Sequence, residues 1–216
     1  MDKSLSFLRS LGIGFLIFLV IGVGLYPLMY VLSDSPISII EGKDALGEHP
    51  LWLTAFYLHI LLGGAALLLG WPQFIPAWRN KHLPRHRKLG KLYLISILFF
   101  SAPSGFYLSF YAFGGTANKV GFGLLAISWF ISTIQAFLSI RKKDVQGHRE
   151  WMIRSYALSL AAVTLRIYMP FMQAVLLWSF DFSYSLIAWI CWIPNLIVAE
   201  WIIFRSKPKL KPTTTA

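Results

Sequence analysis

Two short motifs repeat a combination that can hold a metal porphyrin: His86-Arg87 and His148-Arg149. Two imidazoles facing each other from neighbouring helices can ligate haem iron through both axial positions, as in a b-type haem. The adjoining arginines suit the haem propionates, because a guanidinium forms charge-assisted hydrogen bonds with carboxylates. His82 adds a third imidazole, and His82, His86 and His148 together could instead make an open zinc site. A plainer reading stands beside both. Histidines among basic residues at a membrane interface also bind lipid phosphate.

Other polar residues lie inside apolar runs. Placing an ionisable group there costs about 2.5–3.5 kcal/mol on insertion scales, so such a group usually faces a cavity or a partner. His59 shares a helical face with Gly63, Ala66, Gly70 and Gln73. That small-residue groove could seat a flat cofactor or pack another helix. Arg166 lies eighteen residues beyond His148, about 27 Å along a helix, in the outer half of the membrane near the depth of His59. Ser101, Pro103, Ser104 and Gly105 fall at a similar depth. His59, Arg166 and Ser104 are therefore expected to line an electropositive pocket for a quinone headgroup or a small anionic ligand. Alternatively, Arg166 snorkels outward or bonds backbone carbonyls.

Glu200 is the natural counter-charge for Arg149, Arg154 or Arg87, and a structural ion pair of Glu200 with Arg154 is expected. Asn195 is expected to bond a neighbouring helix. The one cysteine, Cys191, excludes an intrachain disulfide and CxxC chemistry. No GxSxG, P-loop, HExxH or dinucleotide fingerprint occurs. Gly12, Gly14, Gly22 and Gly24 belong to an apolar helix and read as packing glycines.

The elements that must position these residues are membrane spans. The chain of 216 residues is 56% hydrophobic and 13% charged, against about 25% charged in soluble domains. Six apolar runs, roughly 11–32, 52–77, 89–112, 120–140, 150–177 and 185–204, are near or above the ~20 residues that cross a bilayer as helix. They lack the alternation of barrel strands. The first run is longer than a signal-peptide core and reads as a retained anchor. The expected fold is all-α, a polytopic bundle of six transmembrane helices. It divides into an anchor helix and outer loop over 1–51, a five-helix core over 52–205, and a disordered cytoplasmic tail over 206–216.

All but three of the 20 Lys and Arg residues fall on one side of this threading. The exceptions are Lys43, Lys119 and the intramembrane Arg166. Basic loops stay in the cytoplasm, so both termini are expected inside, in a bacterial inner membrane. The formal charge of +11 then reflects loops facing anionic headgroups of the lipid bilayer, not nucleic acid. Trp52, Trp78, Trp151, Trp178 and Trp201 sit near predicted span ends, as interfacial belts do.

Several separated motifs, read in order, resemble a known family. They are His59-Ile-Leu-Leu-Gly63-Gly64, Gly70-Trp71-Pro72-Gln73-Phe74, and His86-Arg87-Lys88-Leu89-Gly90-Lys91-Leu92-Tyr93, then His148-Arg149-Glu150-Trp151 through Leu158, Arg166, and Asn195 to Glu200. Over about residues 55–203 the chain resembles the bacterial predicted membrane proteins called the domain of unknown function 2306 family. The resemblance implies a location and a fold. The His-Arg-x-x-Gly-x-x-Tyr element at His86 is also similar to histidine elements of membrane b-type cytochromes. At most one bis-histidine haem is expected, since His59 has only loop His49 at its level.

The leading expectation is a small redox membrane protein, with His86 and His148 holding haem b and an outer-half quinone site. The alternatives are a cofactor-free transporter or ligand-binding protein using His59 and Arg166, and an assembly subunit whose polar residues serve packing.

Overall fold

Lipid offers no hydrogen bonds to the backbone, so an apolar run satisfies its N–H and C=O groups internally by becoming helix. The structure, a computed structural model, describes residues 3–32 and 49–206. Among these residues every regular element is helical. The outer loop over 33–48 and the tail from 207 lie outside the described residues.

The first run is α1 (Lys3–Leu25), continued through a 3-10 turn at Tyr26–Leu28 into α2 (Met29–Leu32). The second is α3 (Pro50–Gly70), with Pro50 in the first turn, where its missing N–H costs nothing. A 3-10 turn at Trp71–Phe74 ends it, and α4 (Pro76–Lys81) follows. The third run joins α5 (Leu83–Ile95), a π-helical turn at Ser96–Ser101 and α6 (Ala102–Ser109). It begins several residues before the expected span, because Pro84 can occupy a first helical turn. The fourth run is α7 (Thr116–Arg141).

Among the described residues five helical stretches are long and apolar enough to cross a membrane: Ser10–Leu32, Pro50–Phe74, Leu83–Ser109, Thr116–Arg141 and Phe180–Ser206. After α7 come α8 (Val145–Ser159) and α9 (Ala161–Ala174), and the last of the five stretches comprises α10 (Phe180–Ile190) and α11 (Ile193–Ser206). The run expected as one span over 150–177 is two helices, α8 and α9, meeting at Leu160. The cause is local. Ser159 Oγ donates back to Ser155 O (3.1 Å), a bond that bends helices. Asn195 Nδ2 donates to Ala157 O (3.2 Å), a carbonyl one turn before the joint. The chain stays right-handed at Leu160 (φ −66°, ψ −10°), and Val163 N–H donates to Leu160 O in a tighter three-residue turn.

The core gathers Ala66, Tyr93, Ile97, Trp129, Tyr156 and Cys191. The small face of α3 is filled by other helices. Tyr156 and Tyr93 lie against Gly70, and Ser101 and Trp129 approach Gly63. The first helix crosses α3 at Gly64, where an added Cβ would come within 2.5 Å of Gly24 O. Gly12, Gly14 and Gly22 meet nothing within 4 Å, so of the four glycines only Gly24 makes a close helix contact. Trp52 lies in the first turn of α3, at the end of its span, and there it is buried and stacked on Phe56, with centroids 5.4 Å apart.

Candidate functional site

At the end of the bundle that carries His86 and His148, the 3-10 turn after α3 brings Gln73 against α5. Gln73 Nε2 donates to Leu69 O (3.2 Å), which leaves Oε1 to accept from His86 Nδ1–H. On α8, His148 Nδ1 lies 2.8 Å from Ala136 O on the adjacent α7. A carbonyl oxygen can only accept, so Nδ1 carries the proton and Nε2 keeps its lone pair. Both imidazoles therefore present Nε2 as the free ligating atom. An Nδ1–H bond to oxygen is the usual way a metal-binding histidine is oriented.

The level of the two rings is fixed from the middle of the bundle. Tyr93 Oη lies 2.8 Å from Ser155 Oγ and 3.2 Å from Ser159 Oγ. Ser155 Oγ meets Thr133 Oγ1 at 2.7 Å, and Trp129 Nε1 donates to Ser159 Oγ (3.0 Å). All five side chains are buried. Hydroxyls in this setting must find one another, because an unmet polar group in a dry interior costs about 1–3 kcal/mol. The result ties α5, α7 and α8 together in register. His86 precedes Tyr93 by seven residues, and His148 precedes Ser155 by seven. Seven residues are close to two helical turns, or about 10 Å. The two histidines thus fall at one level on corresponding faces of helices that run in the same direction. His148, Arg79 and Arg87 all lie within electrostatic reach of His86.

The family described as predicted membrane protein (DUF2306) matches residues 56–203. The chain belongs to the DUF2306 family. No curated protein and no solved structure matches it. In this DUF2306 protein the matched stretch holds the inner histidine pair, the hydroxyl network, His59 and Arg166, and begins beyond the first helix.

His82 lies one turn before His86, and its carbonyl accepts from His86 N–H (2.9 Å). It sits between α4 and α5 with its ring 6.2 Å from Trp78. Among the described residues no three His, Cys, Asp or Glu side chains cluster as a metal site. The two-histidine arrangement is what the DUF2306 protein brings together.

Toward the opposite end of the bundle, His59 Nδ1–H donates to Ser101 O (2.8 Å). Ser104 does not reach His59 by its hydroxyl. Its Oγ donates to Phe100 O (2.6 Å) and lies 3.3 Å from Ser101 O, so the two side chains share one carbonyl. The π-helical turn explains the substitution of Ser101 for Ser104. Ala102 N–H donates to Ile97 O, five residues back, and the extra residue advances the following face by roughly 100°. His59 also lies against Gly105, where a Cβ would come within 2.7 Å of its ring.

Arg166 turns to the first helix. Its guanidinium lies over the Tyr26 ring at 4.9 Å and donates to Ala162 O (3.2 Å). The stripe His148, Met152, Ser155, Ser159, Ala162, Arg166 is thereby divided. Its inner members face α5 and α7, and its last faces α1. Tyr26, Tyr30, Trp129 and Thr133 are contributors that the sequence motifs do not include, and Tyr93 enters only as the last residue of the His-Arg-x-x-Gly-x-x-Tyr element. For Tyr93 the signal was available in Ser155 and Ser159, two hydroxyls one turn apart at a buried depth.

Glu200 and Arg154 meet in a bidentate pair, Nε to Oε1 at 2.5 Å and Nη2 to Oε2 at 2.9 Å. The Arg154 guanidinium also lies 4.5 Å from the Trp151 ring centre. Asn195 bridges helices through Ala157 O and Thr164 Oγ1. An apolar groove lined by Ala102, Pro103, Phe106, Ala126, Ile127 and Phe130 lies between α6 and α7, with no charged side chain in it.

Proposed function

We propose that this DUF2306 protein is a membrane haem protein whose iron is held between His86 and His148. The observation that carries the reading is the shared tautomer. Both rings spend Nδ1–H on a fixed oxygen and present Nε2, at one level, from two helices locked in register. Arg79 and Arg87 supply cationic groups beside His86 for the propionates. The sole cysteine is buried in the core, so the group would be held by histidine without thioether links, as a b-type haem. When bound, the iron would supply one-electron chemistry, and the chain's part is to fix the ligands and set access and potential.

The same reading places six spans in a bacterial inner membrane, with α8 and α9 crossing together as the fifth. The basic residues at the inner helix ends support termini in the cytoplasm.

The test is a reduced-minus-oxidised visible spectrum of detergent-purified protein expressed with haem supply. A Soret band with sharp α and β bands, lost in His86→Ala and in His148→Ala, is the expected result. A colourless, folded wild type under those conditions sinks the reading.

A further inference from the structure

The outer half carries a second constellation, which the inner histidine pair leaves unused. His59 is fixed with Nδ1–H on Ser101 O, so its Nε2 is an acceptor in need of a donor. Arg166 lies within electrostatic reach of His59, Tyr26 and Tyr30. A guanidinium has five N–H donors. Among the described residues Arg166 meets one acceptor, Ala162 O, and no carboxylate. Its flat face rests on Tyr26, a residue that is itself 37% exposed. Ser101 Oγ, fully buried at the same level, has no hydrogen-bond partner among the described residues.

An intramembrane arginine of this kind usually faces a partner. The ligand that satisfies the set brings a hydrogen-bond donor for His59 and an acceptor for Arg166. It must lie against an aromatic ring and arrive through the bilayer. An ionised lipid carboxylate offers acceptors only. A quinol headgroup offers a hydroxyl donor and a second oxygen across a flat ring, carried by an apolar tail. We infer that His59 and Arg166, walled by Tyr26, form a binding site for a lipid-borne quinol headgroup. None of these residues belongs to the His86–His148 pair, so binding is readable whether or not the protein holds haem.

The test titrates full-length protein in lipid nanodiscs with a decyl-tailed benzoquinol, followed by tryptophan fluorescence and thermal shift. Saturable binding is expected for wild type and for Glu200→Gln, with at least tenfold weaker binding in His59→Leu, Tyr26→Leu and Arg166→Gln. The ligand-free melting temperature reports folding. If Arg166→Gln fails to fold, the His59 and Tyr26 variants carry the test. No saturable binding by wild type, or binding that His59→Leu and Tyr26→Leu leave unchanged, overturns the inference. Decanoate binding in place of the quinol, sensitive to Arg166→Gln but not to His59→Leu, overturns it in favour of a carboxylate ligand.

Discussion

Tyr93 and Ser155 meet hydroxyl to hydroxyl at 2.8 Å, across two helices that run in the same direction. This contact sets the register that places His86 at the level of His148. Tyr93→Phe removes it while leaving Ser155 its bond to Thr133 and Ser159 its bond to Trp129. Its contact with Ser159 goes as well, so the loss should be about 1–2 kcal/mol of stability, the typical worth of two hydrogen bonds. A lowered melting temperature in detergent checks it. An unchanged value would mean that the network does not stabilise the bundle.

Neighbouring glycines on α3 should behave differently. A Cβ at Gly64 meets backbone, Gly24 O at 2.5 Å, and the first helix must move. A Cβ at Gly63 makes ordinary contacts at 3.9 Å. Gly64→Ala is expected to cost about 1–3 kcal/mol, as overpacking does, and Gly63→Ala little. Thermal unfolding of the two variants side by side decides this.

Gln73 acts on His86 by holding Nδ1, and touches no ligand itself. Gln73→Leu should leave the imidazole unoriented and reduce haem loading about tenfold, within the range that such supporting contacts command. The ratio of Soret to protein absorbance measures it. Equal loading in the variant would show that His86 needs no such support.

The Arg154–Glu200 pair has good geometry, but the Glu200 side chain is 54% exposed. Solvent screening should hold their coupling below about 1 kcal/mol. A double-mutant cycle with Arg154→Gln and Glu200→Gln gives the number. A coupling of several kcal/mol would mean that the interface around them is drier than the exposure implies.

Membrane orientation is open to a direct assay. An alkaline phosphatase fusion in the 33–51 loop should be active, and one at the C-terminus inactive. The reverse pattern would overturn the assignment of the basic face to the cytoplasm.

The parts of the fold legible in the sequence are those fixed by solvent. Apolar runs had to be helices, and Glu200 within reach of an inner arginine had to find one. Asn195 in an apolar run had to bond its neighbours, and it bonds Ala157 and Thr164. What stayed hidden depends on how faces meet. Helical period gives a residue its face but not the helix opposite, so Tyr26 beneath Arg166 had no signature. The π-helical turn rotates α6 relative to α5, and no count of 3.6 residues anticipates that one extra residue. The bend at Leu160 arises from hydroxyls and an amide reaching backbone carbonyls, which composition does not record.

The first helix has a different standing from the rest. The family match starts at residue 56, and the first helix touches the matched core at Gly24 against Gly64 and at Tyr26 against Arg166. The core helices alone carry His59 and Arg166, and the segment before them carries the Tyr26 ring on which the arginine lies. A chain that kept the core and changed only this helix would keep the same charges in the same places while presenting them to lipid through a different doorway.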